Sequence, residues 1–332
     1  MEDAKYIIVP VELVSSDLFK TTYLNLVRQD KLSRLIIDEA HLAIFWNDFR
    51  PSFNSLANIR KESIQLILLT GSLPPSRQKE LTSFFCLTSV AVTRESTVRR
   101  NITYSALYGS VKTNLNMKLR SIQDLKTIRG IIFVRTFNLI DSIINYIKDS
   151  YPYLRVLGYC GRNGPLDEEN RKSNLKEWSE NLGSIIVTTS ALGHGYHIDS
   201  ISFIFHISPS DDLVFYAQET GRGGRDQQKC DATIFYEDNN NGSMLEFLKT
   251  KECRRMFLHT YLDGPGAWSC QTQNALLCDN CLKNAEKETD NFFDEIDDST
   301  FETLDLNAGK NFIKKTHYAK IFIKTVEQTL QE

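Results

Sequence analysis

The chain has 332 residues, of which 41% are hydrophobic, and its net charge is −3. This length allows two domains and a smaller module, while the modest charge does not by itself indicate a nucleic-acid-binding protein. The first residues lack the basic start and long apolar stretch of a secretory signal, and the apolar runs are too short to span a bilayer. We therefore expect a protein that is not secreted and has no membrane partner.

Short β-rich runs alternate with longer amphipathic stretches along the first 236 residues. Strands and helices that alternate in this way predict an α/β fold with parallel sheets. The predicted strands lie at residues 6–9, 35–37, 66–69, 131–134, 156–159, 185–187, 203–206 and 232–236, and helices are expected at residues 139–148 and 166–178. A joint near residues 93–103, where residues 94–100 are polar and charged, separates the strands into two sets.

The same pattern predicts four regions. We expect a first parallel-sheet domain at residues 1–95, a second at residues 96–238, a helical cysteine-bearing module at residues 239–283, and an acidic segment at residues 284–332. The last segment carries 11 acidic and six basic residues, a net charge of −5, which leaves +2 for residues 1–283. Its composition predicts a mobile linker at residues 284–305, and a last helix is expected at residues 310–330.

The most informative motif is Asp38-Glu39-Ala40-His41, which directly follows a short apolar strand. In a parallel sheet, ligand chemistry lies where strands end at their carboxyl side. An aspartate there can hold the Mg²⁺ of a nucleotide, and the adjoining glutamate can polarise the attacking water. The alternative is a solvated helix start that carries acidic residues by chance.

A glycine-rich turn further along the chain carries two arginines, Arg222 and Arg225, three residues apart. Glycines let the backbone approach a phosphate closely, and arginine is suited to neutralising charge on a transferring γ-phosphoryl group. Supplied from a second domain, these arginines would make hydrolysis depend on domain closure. Two other predicted strands, at residues 66–69 and 185–187, also end in small hydroxyl residues.

The seven cysteines are unevenly spaced in a chain without a secretory signal, which argues for a reducing compartment. Four of them, Cys253, Cys270, Cys278 and Cys281, fall within about 30 residues and end in a C-x2-C pair. This set suits a closed, tetrahedral, structural Zn²⁺ site. Two alternatives stay open: four unrelated reduced thiols, or His259 in place of one cysteine ligand.

In chain order, residues 38–41, 70–72, 130–133, 189–195 and 218–225 resemble motifs II to VI of the RecQ family of superfamily 2 DNA helicases. Two features that separate this family from other helicases are also present: an aromatic-rich loop after motif II, at residues 46–51, and the four-cysteine module. The resemblance covers residues 1–283. It implies two RecA-like parallel-sheet domains, the first incomplete, followed by a small helical zinc-binding subdomain.

The resemblance implies an ATP hydrolase that uses ATP with Mg²⁺ and holds a structural Zn²⁺. The catalytic residues that it implies are Asp38, Glu39, His41, Arg222 and Arg225, and the nucleotide contacts are Asp38, Gly193, Gln218, Arg222 and Arg225. Thr70 and Ser72 would act with His41 and Gln218 to relay the nucleotide state to the DNA groove.

Single-stranded and partly duplex DNA is the implied partner, in the nucleus of a eukaryote or the cytoplasm of a prokaryote. Trp46 and Phe49 would stack on bases while Arg50 meets phosphate or the nucleotide side; ordinary core packing is the alternative for the two aromatic residues. Thr189, in motif V, is a further implied DNA contact.

The cysteine module also carries a local group of basic residues. Arg254 and Arg255, with Lys249 and Lys251, would give it a positive face for DNA phosphates. A solvated helix face is the alternative.

No G-x-x-x-x-G-K-[ST] loop occurs in the 332 residues. The resemblance would put that loop before the start of this sequence, with residues 5–12 as the strand that precedes motif II by one unit. We therefore expect an N-terminally shortened first domain without the cradle for the phosphates. ATP binding should then be very weak and unwinding by this chain absent. Exposed sheet edges would invite aggregation, or a missing segment or protein partner that completes the first domain.

Two functions of different classes are consistent with these features. The first is an ATP-dependent 3′-to-5′ DNA helicase of RecQ type, which couples hydrolysis to translocation and duplex unwinding in recombination or repair. The second is a non-catalytic DNA-binding or partner-binding remnant stabilised by zinc. ATP hydrolysis separates the two. An RNA helicase is disfavoured, because RNA-directed relatives do not usually carry the four-cysteine module.

Overall fold

The computed structural model describes residues 6–45, 52–59, 64–162, 164–193, 198–237 and 243–294. The strands are Arg34–Ile37 (β1), Gln65–Leu68 (β2), Ile102–Tyr108 (β3), Arg129–Val134 (β4), Arg155–Tyr159 (β5), Ser184–Thr188 (β6), Ile201–Ile207 (β7) and Cys230–Tyr236 (β8). The helices are Asp17–Arg28 (α1), Leu42–Phe45 (α2), Ser52–Ile59 (α3), Gln78–Phe84 (α4), Val111–Ser121 (α5), Phe137–Ser150 (α6), Glu168–Glu180 (α7), Leu213–Thr220 (α8), Ser243–Lys249 (α9), Arg254–Asp263 (α10) and Asp279–Asp294 (α11).

The described strands form two parallel sheets, as the alternation of strands and helices predicts. The first sheet pairs β1 with β2, and the second has six strands in the order β3-β8-β7-β4-β6-β5. The chain divides into two compact units, residues 1–281 and residues 282–332, and both sheets lie in the first. Predicted strands from residue 35 onward and both predicted helices are confirmed, with bounds that differ by a few residues.

The six-stranded sheet is buried on both faces. Ile131 and Phe133 of β4 belong to one apolar core, while Ile132 and Val134 belong to the core on the opposite face. This double burial explains why the inner strands are continuous apolar runs, because a parallel sheet covered on both faces has no polar side. Helices α5 and α6 cover one face, and α8, α9 and α10 cover the other.

Three predictions about the first strand, the joint between the two sets of strands and the acidic linker were wrong. Residues 6–9 form no strand: they precede a short 3₁₀ turn at Val11–Leu13, and Tyr6 and Ile8 are 83% and 95% exposed. The strand β3 begins inside the stretch that the sequence assigned to a domain joint. Part of the acidic linker is helical, because α11 extends over Asp279–Asp294 and includes Leu282, Lys283, Ala285, Glu286 and Lys287, which favour helix. Residues 295–332 lie outside the described part of the chain.

Among the described residues, no helix combines the length and the apolar character that a membrane span requires.

Gly130 allows β4 and β7 to pack closely, since a Cβ atom at this position would overlap the ring of Phe203 on the neighbouring strand. We expect Gly130→Ala to lower the free energy of unfolding by about 1–3 kcal/mol, because a methyl group forced into a filled core strains its neighbours. Urea unfolding followed by circular dichroism measures the change. The control is Gly71→Ala, where an added Cβ meets nothing within 4 Å. Equal stabilities of the two variants would contradict this packing argument.

Candidate functional site

The motif II acids follow the end of β1, at the carboxyl edge of the first sheet. Glu39 adopts a φ of +49°, a left-handed conformation that is unfavourable for a side chain with a Cβ. Its backbone N–H donates to Oδ1 of Asp38 over 2.9 Å, which fixes the two acids relative to each other. This strained turn places two carboxylates where strand ends commonly bind ligands.

His41 joins the two sheets. The residue is fully buried; its Nδ1 lies 2.9 Å from Oγ1 of Thr70, just after β2, and its Nε2 lies 2.8 Å from Nε2 of Gln218 on α8. An amide nitrogen can only donate, so Nε2 of the imidazole accepts and Nδ1 carries the proton in this arrangement. A neutral imidazole therefore connects motifs II and III to motif VI, three motifs that the sequence analysis assigned to one site.

The motif II acids and the motif VI arginines are electrostatically coupled. Burial raises the pKa of Glu39, the charge of Asp38 raises it further, and the charge of Arg222 lowers it. Burial and then repulsion from Arg225 lower the pKa of Arg222 to about 10. Two neighbouring guanidinium groups that are both partly desolvated favour a bound anion between or beside them.

Thr189 and Gln218 line one groove of about 250 Å³, which ties the predicted DNA contact to the predicted relay. The groove lies at the carboxyl ends of β4, β6 and β7, and Gly193 ends the short turn Ser190–Gly193 beside it. Ser72 is 5% exposed and donates its backbone N–H to Oγ1 of Thr70 over 3.3 Å. The groove thus continues from the His41 bridge along the second sheet.

The sequence analysis missed a buried acid in this groove. Glu219 is 6% exposed; Oε2 lies 3.0 Å from Nε2 of His206 and accepts from Oγ of Ser210 over 2.6 Å. These bonds fix the last turn of α8 against the end of β7 and against the segment that precedes the helix. The signal was present, since Glu219 directly follows Gln218 in the motif.

Four cysteine side chains converge. The sulfur atoms of Cys253, Cys270, Cys278 and Cys281 all lie within 4.8 Å of one another, and the first two are 3.5 Å apart. A tetrahedral site with metal–sulfur bonds of about 2.3 Å would space its sulfurs about 3.8 Å apart, so this donor set fits such an ion. Backbone N–H groups of residues 254, 270 and 278 donate to three of the sulfurs, which favours thiolates.

His259 takes no part in this cluster. Its Nδ1 lies 2.9 Å from Oγ1 of Thr97 and 3.5 Å from Oδ2 of Asp263. The alternative in which His259 replaces a cysteine is therefore wrong for the described structure. The remaining thiols, Cys86, Cys160 and Cys230, lie outside the cluster.

The expected basic face on the cysteine module was wrong for its two arginines. Arg254 and Arg255 are 3% and 0% exposed. Nε of Arg254 donates to Asp279 over 2.6 Å, and Arg255 donates to backbone oxygens of Arg99, Ile102 and Leu276. Because Cys253 must face inward to join the cluster, the helix that follows it turns both arginines into the protein.

Trp46, Phe49 and Arg50, the predicted aromatic loop and its basic residue, lie outside the described residues.

Residues 115–227 match the family of the helicase conserved C-terminal domain. The RecQ-like DNA helicase BLM of Xenopus laevis is 24% identical over 326 residues, covering 87% of this chain and 23% of the relative. The ATP-dependent DNA helicase Q1 of Pongo abelii is 25% identical, with coverage of 86% and 46%. For the ATP-dependent DNA helicase RecQ of Pasteurella multocida, identity is 24% and coverage 82% and 45%.

Over most of its length, this chain is similar to RecQ-family DNA helicases. It spans less than half the length of these three relatives. Among solved structures, it is similar to Mss116p bound to ssRNA and AMP-PNP, with a TM-score of 0.51, 16% identity and coverage of 66% of this chain and 47% of the other. Dbp5 of S. cerevisiae bound to RNA and ADP BeF3 gives a TM-score of 0.50, 17% identity and coverage of 69% and 61%. These structures confirm the parallel-sheet, RecA-like fold.

Burial of Arg254 predicts an effect on the stability of this chain. We expect Arg254→Met to lower the free energy of unfolding by about 3–5 kcal/mol, because it leaves the carboxylate of Asp279 buried without its cation. Urea unfolding measures the change, and Lys249→Met, at an exposed position on α9, is the control with the same loss of charge. Unchanged stability of Arg254→Met together with weaker DNA binding would contradict the buried role.

Proposed function

We propose that this chain forms the motor core of a RecQ-like ATP-dependent DNA helicase that translocates 3′ to 5′ on single-stranded DNA and unwinds duplexes in recombination or repair. The observation that carries the proposal is the bridge from Thr70 through His41 to Gln218. It joins the strand ends beside the acids to α8, the helix that leads into the turn with the arginines. A motor needs such a contact, because hydrolysis moves the chain along DNA only if the nucleotide state changes how the sheets meet.

In the nucleotide site, each proposed role follows from charge and position. Asp38 would hold Mg²⁺, which when bound neutralises charge on the phosphate oxygens. Glu39 would accept a proton from the attacking water, and its raised pKa makes it a better base than an exposed carboxylate. Arg222 and Arg225 would neutralise the γ-phosphoryl group, because their guanidinium groups are partly desolvated and repel each other.

The proposed coupling runs from the nucleotide site into the groove. Movement of Arg222 toward or away from the acids would move Gln218, because the turn that carries Arg222 directly follows α8, and Gln218 lines the groove that also contains Thr189. The groove is supported as a DNA site by hydroxyl groups at the strand ends, which bind phosphate oxygens without reading bases. DNA, not RNA, is proposed because the RecQ, Q1 and BLM relatives are named as DNA helicases.

The proposal includes a structural Zn²⁺ on the four cysteines. Zinc would fix the three segments that carry these cysteines and thus the module that packs on β3.

We expect one zinc ion per chain in protein purified without chelator, because four converging thiolates repel one another unless a cation lies between them. Elemental analysis by mass spectrometry measures it. Cys270→Ser should lose the zinc and lower the Tm, while Cys86→Ser, at an exposed thiol outside the cluster, should keep both. Zinc-free wild type with an unchanged Tm would contradict the site.

A second candidate, a non-catalytic DNA-binding module, is favoured by one observation: the 332 residues contain no phosphate-cradling G-x-x-x-x-G-K-[ST] loop. For the helicase candidate, the same observation means that the acids and arginines would work with a phosphate-binding loop provided outside these residues, by another segment or by a partner.

We expect the purified chain to bind single-stranded DNA, with an affinity that falls as salt rises, and to show background ATP turnover because its phosphates are not cradled. Fluorescence anisotropy and a phosphate-release assay with and without DNA measure the two. Thr189→Ala should weaken DNA binding about three- to tenfold, through one lost phosphate contact, whereas Thr113→Ala, at an exposed position of α5, should not.

Failure to bind DNA would overturn the helicase proposal. DNA-stimulated turnover that Glu39→Gln abolishes would support the catalytic roles and contradict the expected need for an outside loop. DNA binding with background turnover that rises when a chain carrying the loop is added would support both the helicase proposal and the need for an outside loop. If no such addition restores turnover, the non-catalytic candidate stands.

A further inference from the structure

We propose that Arg99 is a positioning residue that sets the turn carrying Arg222 and Arg225. The inference rests on the proposed function for the role of these two arginines, but the contacts of Arg99 itself are independent of it.

One guanidinium group holds most of this turn. In Arg99, Nη1 donates to the carbonyl oxygen of Gly221 over 3.0 Å, and Nη2 donates to those of Gly223 and Gly224 over 2.9 and 2.8 Å. Three carbonyls within four consecutive residues thus converge on one side chain. The two arginines lie in the same stretch, so the bonds that set its backbone also set where their side chains start.

The carbonyl oxygens that Arg99 binds lie at the end of α8 and just beyond it. Gly221 caps α8, and the last carbonyl oxygens of a helix have no partner within it and carry partial negative charge. A planar guanidinium with several donors can satisfy diverging carbonyls at once, which a single ammonium does less well. Arg99 therefore binds the carbonyl oxygen of the residue that caps α8, together with Nε of Arg225, and defines the path of the chain beyond the helix.

A second side chain supports the far end of the turn. Nδ2 of Asn101 donates to the carbonyl oxygens of Gly224 and Gln228 over 2.7 and 2.6 Å. Gly224 has a φ of +56°, and a Cβ at this position would run into the Asn101 amide. The close approach of Asn101 thus requires glycine at this position.

Arg99 is itself anchored from another element. Its carbonyl oxygen accepts from Nη1 of Arg255 over 2.5 Å, and the same guanidinium donates to Ile102. Because Arg255 is fully buried on α10, the start of β3 and the Arg99 backbone are fixed to the cysteine module. The turn is therefore positioned against a rigid support and not against a surface loop.

Electrostatics argue against a role of Arg99 as a simple charge partner. Burial and then the charge of Arg99 lower the pKa of Arg225, so the two guanidinium groups repel each other. Because Arg99 repels Arg225, it must stabilise the turn through its hydrogen bonds and not through its charge. This distinction separates the expected effects of the variants below.

The test compares Arg99→Ala, Arg99→Lys, Arg99→Met and the neighbouring control Arg100→Ala in the full chain without nucleotide or DNA. Arg100 is exposed and has the same formal charge. Amide hydrogen exchange by mass spectrometry reports the turn backbone, and phenylglyoxal labelling of Arg222 and Arg225 reports the side chains.

In Arg99→Ala and Arg99→Met, we expect amide hydrogens at residues 221–228 to exchange about tenfold faster than in the wild type. We also expect phenylglyoxal to label Arg222 faster, because the turn opens more easily. Exchange in β4 and the response of Arg100→Ala should stay at the wild-type level. Millimolar guanidinium should restore protection in Arg99→Ala alone, since it can refill the vacated donor site there but not beside a methionine side chain. Arg99→Lys should lie between the wild type and Arg99→Ala.

Unchanged exchange and labelling in Arg99→Ala, or equal changes in Arg100→Ala, would overturn the inference. So would restoration by guanidinium in every variant, which would indicate a general solvent effect. If Arg99→Ala does not fold, Arg99→Lys against Arg100→Ala decides by the same criteria. Failure of the DNA or ATP assays would leave these readouts unaffected, because none of them uses a ligand.

Discussion

The structure depends on one buried guanidinium. Arg255 is fully buried, lies over the ring of Tyr104 with 5.2 Å to its centroid, and donates to three backbone oxygens from two separate segments. A buried cation loses its hydration and depends on the hydrogen bonds that it makes, which here are the three from its two Nη atoms, so these segments cannot move apart without a large loss of free energy. The cysteine module, the start of β3 and, through Arg99, the arginine turn are therefore placed by one constraint.

The contact between the sheets is of a different kind. His41 makes two hydrogen bonds, to Thr70 and to Gln218, and the acids beside it face a guanidinium. A few polar bonds can break and re-form as charge arrives or leaves, whereas a packed core resists small shifts. The molecule thus combines a fixed second sheet, locked by Arg255, with a contact at its edge that a ligand could change.

The sequence was informative where chemistry and periodicity agree and less so elsewhere. Apolar runs predicted the buried strands, since both faces of the sheet are covered. The spacing of the four cysteines alone predicted that their side chains lie together. The failures have physical causes. Residues 6–9 include strand-forming side chains but find no partner strand in the part of the chain that the structure describes, and Arg254 and Arg255 have surface-type side chains that the fold buries. Arg99 gave no signal, because it binds backbone oxygens, which every residue carries.

Glutamine at position 218 makes the contact to His41 insensitive to the protonation state of the imidazole. A glutamine amide can present either its nitrogen or its oxygen to the same partner after a half-turn about its last bond. Oε1 of Gln218 has no hydrogen-bond partner among the described residues, so that rotation breaks no other bond of the side chain. The contact to His41 can therefore persist whichever ring nitrogen holds the proton, and even when both do. A carboxylate or an ammonium at this position would make the same contact in only some of these states.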